Sequence, residues 1–163
     1  MRSTLRGTRR GFTLIELMVV VSILVGLMLV TLPALTDKAV REQVAEALPL
    51  ADIAKPAIQA AWILGVPLPA DNAAAGLPAA DKIVNQRVQS VTVAQGAIHI
   101  TFGSRAHKEL QGKVLTVRPA GVEDAHIVPF TWLCGSTAPP AKMTAQGENR
   151  TNVPLKFLPA SCR

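Results

Sequence analysis

A largely apolar stretch near the N-terminus, from Phe12 to Leu35, limits more than any other feature what this 163-residue chain can fold into. At about 1.5 Å of rise per residue, a helix over this stretch is ~36 Å long, enough to cross the ~30 Å hydrocarbon core of a bilayer. Apart from Glu16, the stretch carries no charged side chain. The preceding leader, MRSTLRGTRRG, contains four arginines and no acidic residue. The sequence therefore predicts a basic leader over residues 1–11 and a membrane-spanning helix over residues 12–35.

The order of leader and apolar stretch is the reverse of that in a secretory signal, which is cleaved after its apolar part. Here no small-residue cleavage site follows the apolar stretch, and the small residue Gly11 precedes it. A peptidase that cuts after Gly11 would remove the leader and keep the apolar helix on the mature protein. Because basic residues stay on the cytoplasmic side of a membrane helix, the leader predicts a cytoplasmic N-terminus and an outside location for the rest. Its basic residues are Arg2, Arg6, Arg9 and Arg10.

The single carboxylate of the apolar stretch, Glu16, needs an explanation that a plain membrane anchor does not provide. On insertion scales an acidic side chain inside a membrane costs about 2.5–3.5 kcal/mol, so such a group usually has a partner. One interpretation is that Glu16 lies close enough to the interface to stay hydrated. The other is that it pairs with the amine of Phe12, freed by cleavage, in the same chain or in a neighbouring one. A buried pair of this kind would set the register of assembly.

The segment GFTLIELMVVVSIL, residues 11–24, resembles the class III signal of type IV pilins and related pseudopilins. The resemblance implies that a prepilin peptidase cleaves after Gly11 and methylates the new N-terminal amine of Phe12. Glu16 matches the family's glutamate, which is thought to set the register as a subunit joins the filament. Pro33 matches the family's helix-kinking proline. Since proline lacks an N–H donor and clashes with the preceding turn, we expect a kink or an unwound turn between Gly26 and Pro33.

An amphipathic pattern over residues 36–64 predicts that the helix continues beyond the membrane segment. Two prolines, Pro49 and Pro56, predict bends or a break within it. The next segment, residues 65–87, is rich in Pro, Gly, Ala and Asn and lacks periodicity, which predicts a loop between helix and sheet. The apolar residues on one face of the predicted helix are Val40, Val44, Leu48, Ala51, Ile58 and Trp62.

Strand-like runs occupy much of the remaining chain, and the first two flank a Gln-Gly turn that predicts a hairpin. Alternation of apolar and polar residues predicts an antiparallel sheet with one face turned to the core. His99 lies between two apolar residues of the second run, so we expect it to face solvent. The predicted fold class is α+β, with a long N-terminal helix packed on an antiparallel sheet of about four strands in a head over residues 65–163. The four runs are residues 88–94, 97–102, 113–119 and 128–134.

Two cysteines, Cys134 and Cys162, lie near the C-terminus, and the predicted outside location places them in an oxidising compartment. A disulfide between them would close a loop of about 29 residues and contribute on the order of 3–4 kcal/mol in the chain-entropy model. Free thiols are the alternative, and a metal site is not predicted because no clustered Cys/His spacing occurs. The order of Trp132, Cys134, a polar loop and LPASCR resembles the disulfide-bounded loop of type IVa pilins, which implies a disulfide region over residues 134–162.

No pattern in the chain predicts an enzyme, a cofactor or a catalytic site. The histidines, His99, His107 and His126, belong to no metalloprotease motif, and neither a GxSxG motif nor a Gly-rich phosphate loop occurs. The Asn-Arg-Thr triplet that starts at Asn149 matches the N-glycosylation pattern, which is too short to predict a modification. The net charge of +6 falls to +2 once the leader's four arginines are removed, so charge gives no strong support for a nucleic-acid partner.

The resemblance implies a structural subunit of a type IV pilus. Its precursor would lie in the bacterial inner membrane and then polymerise through the N-terminal helix into an extracellular filament, or fimbrium. Family functions are adhesion, twitching motility and DNA uptake. Expected partners are further copies of the chain, the prepilin peptidase, an assembly ATPase and a platform protein. The alternatives are a pseudopilin of a type II secretion system, a minor pilin or, from another class, an extracytoplasmic binding module anchored in the inner membrane; the cysteine pair favours a pilin over a pseudopilin.

Overall fold

The computed structural model describes residues 11–125, 128 and 130–163, with the backbone alone for residues 30–34. The predicted leader with its four arginines, apart from Gly11, therefore lies outside the described residues, and so does His126. The chain divides into two compact units, Met1–Thr36 and Asp37–Arg163.

Helix α1 spans Leu14–Ala47 and starts with a side-chain cap. The hydroxyl oxygen of Thr13 accepts the backbone N–H of Glu16 at 3.3 Å, which satisfies one of the N–H groups that a helix leaves free at its N-terminus. The hydroxyl of Ser22 donates to the carbonyl oxygen of Met18 at 2.8 Å. This polar side chain in an apolar run is therefore satisfied within the helix itself.

Pro33 does not end or unwind α1. The backbone is helical through both Gly26 and Pro33, so the unwound turn predicted between them is absent from the single chain. Proline removes one N–H donor from the ladder, and the turns on either side keep their own hydrogen bonds. Among the residues that the structure describes with side chains, no helix is long and apolar enough to cross a membrane.

In the second unit the helical region breaks where its prolines predict. Helix α1 ends at Ala47, a 3₁₀ segment spans Leu48–Ile53, and helix α2 spans Lys55–Ile63. Pro49 and Pro56 lie in the first turns of the two later segments, where a helix needs no N–H donor. The buried apolar residues of this region are Val40, Val44, Ala47, Ala51, Ala54, Ile58, Ala61 and Trp62.

One antiparallel sheet follows, with strands β1 Val88–Ala94, β2 Ala97–Phe102, β3 Val114–Gly121, β4 Thr131–Cys134 and β5 Thr144–Ala145. The first four strands are neighbours in the order β1-β2-β3-β4. The hairpin of β1 and β2 matches the sequence prediction in both of its strands. Its turn residues, Gln95 and Gly96, have φ angles of 48° and 79°. Two successive positive φ angles define the turn type that suits the twist of a two-residue hairpin.

The later strands differ from the prediction at their ends. Strand β3 runs two residues beyond Pro119, and β4 begins at Thr131 rather than at Val128. Strand β5, in a segment predicted as an irregular polar loop, pairs with Ala120 and Gly121 at the end of β3. A two-residue strand has no readable periodicity, because its pairing depends on a partner far away in the chain.

The inner face of the sheet carries the predicted core. Val91, Val93, Ile98 and Ile100 are all buried, together with Phe102. They belong to one cluster with the buried residues of α1, the 3₁₀ segment and α2, so helix and sheet bury each other's apolar sides. The α+β prediction, a helix packed on an antiparallel sheet of four to five strands, is confirmed.

The outer face of the sheet is not open to solvent at its centre. His99 of β2 is only 4% exposed, so the prediction that it faces solvent is wrong. Residues 146–152, here called the crossing segment, pass over this face. At its start Gly147 lies against Ala97 of β2. At its end the backbone N–H of Asn152 donates to the carbonyl oxygen of Val114 at 3.0 Å. Alternation correctly puts His99 opposite the core, but it carries no information about a distant segment that covers that face.

One side chain of the loop that precedes β1, Asn72, covers part of the free edge of this strand. Asn72 is buried, and its amide nitrogen donates to the carbonyl oxygens of Val91 at 2.9 Å and Pro78 at 3.1 Å. Its amide oxygen accepts the backbone N–H of Val93 at 2.6 Å. The amide thus satisfies a donor and an acceptor of β1 as a neighbouring strand would.

Candidate functional site

Gly11 and Phe12, the first residues that the structure describes, are both exposed. A Cβ built on Gly11 would meet no atom within 4 Å, and Phe12 is 81% exposed. Residues 11–13 precede the helix without regular structure. Gly11 and Phe12, the predicted cleavage and methylation positions, are therefore adjacent, exposed residues of an irregular segment next to the start of α1.

Glu16 lies in the first turn of α1 and its side chain is exposed. A carboxylate in this position is favoured by the positive end of the helix dipole. Its carboxylate forms no ion pair within 4.0 Å among the described residues. In the uncleaved chain the nitrogen of Phe12 is a peptide nitrogen, so the predicted pair with a free amine can form only after processing. Pro33 lies 17 residues further along the same helix, where the structure describes only its backbone.

The first half of α1 exposes apolar side chains around its whole circumference. The consecutive residues 17–21 are all exposed, and five successive positions cover every side of a helix. A helix that is apolar all round is expected to be buried, either in lipid or among other protein helices. The exposed large apolar residues of this half are Leu14, Ile15, Leu17, Met18, Val19, Val20, Val21, Ile23, Leu24, Val25, Leu27, Met28 and Leu29, and Phe12 just before the helix is exposed as well.

At the other end of the chain, Cys134 and Cys162 form a disulfide with their Cα atoms 4.4 Å apart, as predicted. Cys134 ends β4, and Cys162 lies in a short 3₁₀ turn at the C-terminus. Gly135 has a φ of 61° and lies close to the backbone of Cys162. A Cβ atom at position 135 would be 2.5 Å from the carbonyl oxygen of Cys162. The same carbonyl accepts the N–H of Ser136 at 3.0 Å. Glycine thus permits the close approach that the bridge requires.

Polar side chains hold the disulfide-bounded loop onto the sheet. The amide nitrogen of Asn149 donates to the carbonyl oxygen of Gly135 at 2.9 Å, and its amide oxygen accepts the N–H of Thr151 at 3.1 Å. The hydroxyl of Thr151 in turn accepts the N–H of Thr116 at 3.0 Å. The triplet that matches the glycosylation pattern therefore has a structural role, because both the nitrogen and the oxygen of the Asn149 side-chain amide form hydrogen bonds.

Sequence reasoning missed three polar residues that position these regions: Asn72, His99 and Thr116. Asn72 sits in a segment whose composition already predicts a loop, and nothing in one sequence distinguishes it from an ordinary turn asparagine. His99 and Thr116 are in register on neighbouring strands, with Nδ1 of the histidine 3.0 Å from Oγ1 of the threonine. Polar residues at facing positions of adjacent strands are also typical of a solvent-exposed face, so nothing in the sequence indicates that this face is covered.

Comparison with known proteins identifies family matches in both the N-terminal and the C-terminal part of the chain. Residues 40–163 match the family described as pilin (bacterial filament), and residues 6–32 match the prokaryotic N-terminal methylation motif. The chain is 37% identical over 162 residues to the type IV major pilin protein PilE1 of Neisseria gonorrhoeae, covering 95% of this chain and 87% of that protein. It is 36% identical over 162 residues to the fimbrial protein EcpC of Eikenella corrodens, covering 98% and 94%. The apolar helix, the disulfide-bounded head and these matches lead to one conclusion: the chain belongs to the pilin family.

Proposed function

We propose that this protein is a structural subunit of a type IV pilus and that it polymerises through the first half of α1. The observation that carries the proposal is the apolar surface on every side of that helix, which has to be covered by lipid or by other copies. The similarity to major pilins and a fimbrial protein over nearly the whole chain supports the proposal that the subunit is assembled into a filament. Adhesion and twitching motility are consistent roles for such a filament, and we infer no catalytic role.

We infer that the precursor is held in the bacterial inner membrane by residues 12–35 before it is assembled. The sequence stays apolar through residues 30–34, and the basic leader would keep the N-terminus in the cytoplasm. A prepilin peptidase would cut after Gly11 and methylate Phe12, both of which lie in an accessible segment. An assembly ATPase and a platform protein would then move the subunit from lipid into the growing filament outside the cell.

In this proposal Glu16 pairs with the new amine of Phe12, in the same subunit or in the neighbouring one. Its exposed carboxylate has no competing cation among the described residues, and it lies one helical turn from the cut. Such a pair would fix the axial register of one helix against the next. Pro33 would supply a place where the helix bends or unwinds inside the filament, since it is the one residue of α1 that cannot donate a backbone hydrogen bond.

The experiment that tests the proposal is N-terminal sequencing and intact mass of protein sheared from the surface of the native cell. We expect a chain that begins at N-methylated Phe12 and carries the Cys134–Cys162 disulfide. A pseudopilin would be processed in the same way but would be missing from the sheared surface fraction. A chain that still begins at Met1 and stays entirely in the inner membrane would overturn the proposal and leave the anchored binding module.

A further inference from the structure

The outer face of the sheet holds a buried histidine beneath the crossing segment. The Nδ1 atom of His99 is 3.0 Å from the hydroxyl oxygen of Thr116, and this oxygen also accepts the backbone N–H of Arg150 at 3.0 Å. One hydroxyl group therefore joins the histidine ring to the segment that covers it. The other ring nitrogen, Nε2, is buried and has no hydrogen-bond partner among the described residues.

Charged groups approach His99 from the segment above it. Arg150 and Glu148 face the ring, and they form an ion pair in which the Arg150 Nε atom is 2.7 Å from the carboxylate. Burial is the largest cause that lowers the pKa of His99 below its ordinary value of 6.5; Arg150 lowers it further, and Glu148 raises it.

The sheet adds no carboxylate to these surroundings. Strand β1 contributes Thr92 and strand β3 contributes Thr116, both in register with His99 and both uncharged. Arg118 lies two residues beyond Thr116 on β3 and therefore on the same face of the sheet. Its Nε atom is buried and has no hydrogen-bond partner among the described residues. Glu148, the carboxylate that acts electrostatically on His99, is already paired with Arg150.

Protonation of His99 disrupts this arrangement because both ring nitrogens then carry an N–H. The Thr116 hydroxyl would have to accept two N–H groups, from His99 and Arg150, and its own hydrogen would lose the ring as an acceptor. In the neutral tautomer that accepts the Thr116 hydroxyl hydrogen at Nδ1, Nε2 already carries a hydrogen without an acceptor in the described part of the chain. Protonation makes this unpartnered N–H part of a cation, and an unsatisfied buried donor costs more on a charged group than on a neutral one.

We propose that the crossing segment, residues 146–152, carries an acid-released clasp at Arg150, whose backbone N–H docks on Thr116 while His99 is neutral and detaches when His99 is protonated. The detached state binds a proton at the ordinary pKa of 6.5, whereas the docked state resists protonation. Docking is therefore stable above about pH 6.5 and weakens as the pH falls below it. The hydrogen bonds that Asn149, Thr151 and Asn152 make to the sheet region do not involve His99, so acid loosens the segment at Arg150 without unfolding the head.

Amide hydrogen exchange of the full-length protein in detergent, measured by NMR from pH 7.5 to pH 5.5, tests the clasp. After correction for the intrinsic exchange rate, we expect the protection of the Arg150 amide to fall over this range, by about tenfold at most. The amides of the hairpin, residues 88–102, should keep their protection. Equal protection of the Arg150 amide at both ends of the pH range would overturn the proposal.

Variants separate the titration of His99 from a structural effect. H99Q stays neutral at every pH and should abolish the pH dependence, whereas H107Q, at a partly exposed histidine, should retain it. If H99Q does not fold, T116V serves instead: it removes the shared hydroxyl, and the Arg150 amide should exchange rapidly at every pH. A pH response of native size in H99Q, or in T116V, would exclude His99 and its hydroxyl link as the cause.

Discussion

The two compact units of this chain differ in where their apolar side chains find a partner. In the second unit the large apolar residues of helix and sheet pack into one core, and Phe102 at the end of β2 is fully buried. In the first unit the side chains from Phe12 to Leu29 are exposed on every side of α1. The head can therefore fold from its own residues, whereas the N-terminal helix is completed only by lipid or by other copies of the chain.

The difference predicts two separable kinds of defect. Substitutions in the core of the second unit should lower the free energy of unfolding of every chain. Substitutions on the first half of α1 should leave folding of the head intact and appear only when chains assemble. The following changes test that separation, from the largest expected effect to the smallest.

Glu16→Ala is expected to abolish filaments without affecting the head. If Glu16 pairs with the freed amine of Phe12, its removal leaves a buried charge unpaired, at a cost of about 3–5 kcal/mol for each subunit added. Sheared filament protein should be absent, while the thermal unfolding of the head stays as in the native chain. Glu109→Ala removes an exposed carboxylate of the head and is the matched control, which should assemble normally. Abundant filaments from the Glu16 variant would remove its role in register.

Phe102→Ala and Leu24→Ala compare a large-to-small change in the two units directly. Phe102 is fully buried, so its truncation should lower the free energy of unfolding by about 3–5 kcal/mol. Leu24 is 50% exposed in the single chain, and its truncation should leave the urea midpoint of the head unchanged but reduce the yield of filaments. If both variants lowered the urea midpoint of the head by a similar amount, the conclusion that the head folds without the first half of α1 would be wrong.

Asn72→Ala is expected to have a smaller effect on the head, because it removes no apolar packing. It leaves the carbonyl of Val91 and the N–H of Val93 without their amide partner, and an unsatisfied buried group costs about 1–3 kcal/mol. Urea unfolding should show this loss, together with faster amide exchange at Val93. Asn85→Ala is a useful comparison, since the Asn85 side chain accepts N–H groups of its own turn rather than of β1's interior. Unchanged exchange at Val93 would contradict the role assigned to Asn72.

What the sequence could predict follows from how local each signal is. The hairpin from Val88 to Phe102 was predictable because period-two alternation and the Gln-Gly turn lie within one short segment. The break at Pro49 was predictable because proline acts on its own turn of the helix. The cysteine pair was predictable because type IVa pilins carry the same C-terminal order.

The remaining features depend on contacts between distant parts of the chain. The burial of His99 requires residues 146–152 to cross the sheet, and the pairing of β5 requires Gly121, more than twenty residues earlier. Neither contact leaves a periodic pattern in either partner. The unwound turn at Pro33 was expected from a local rule, yet the single chain stays helical there. A local rule identifies where a helix is weakest without determining whether it opens.

The amide of Asn72 has a further consequence once many copies of the head are held close together. A sheet with an open edge offers unpaired N–H and C=O groups to any other edge, and this is a common route to aggregation. In a polymer the local concentration of identical strand edges is very high, so an open β1 edge would promote pairing between neighbouring heads. Asn72 binds the carbonyl oxygen of Val91 and the N–H of Val93, so these two groups cannot pair with a second strand. The heads can then crowd around a filament without fusing into a continuous sheet.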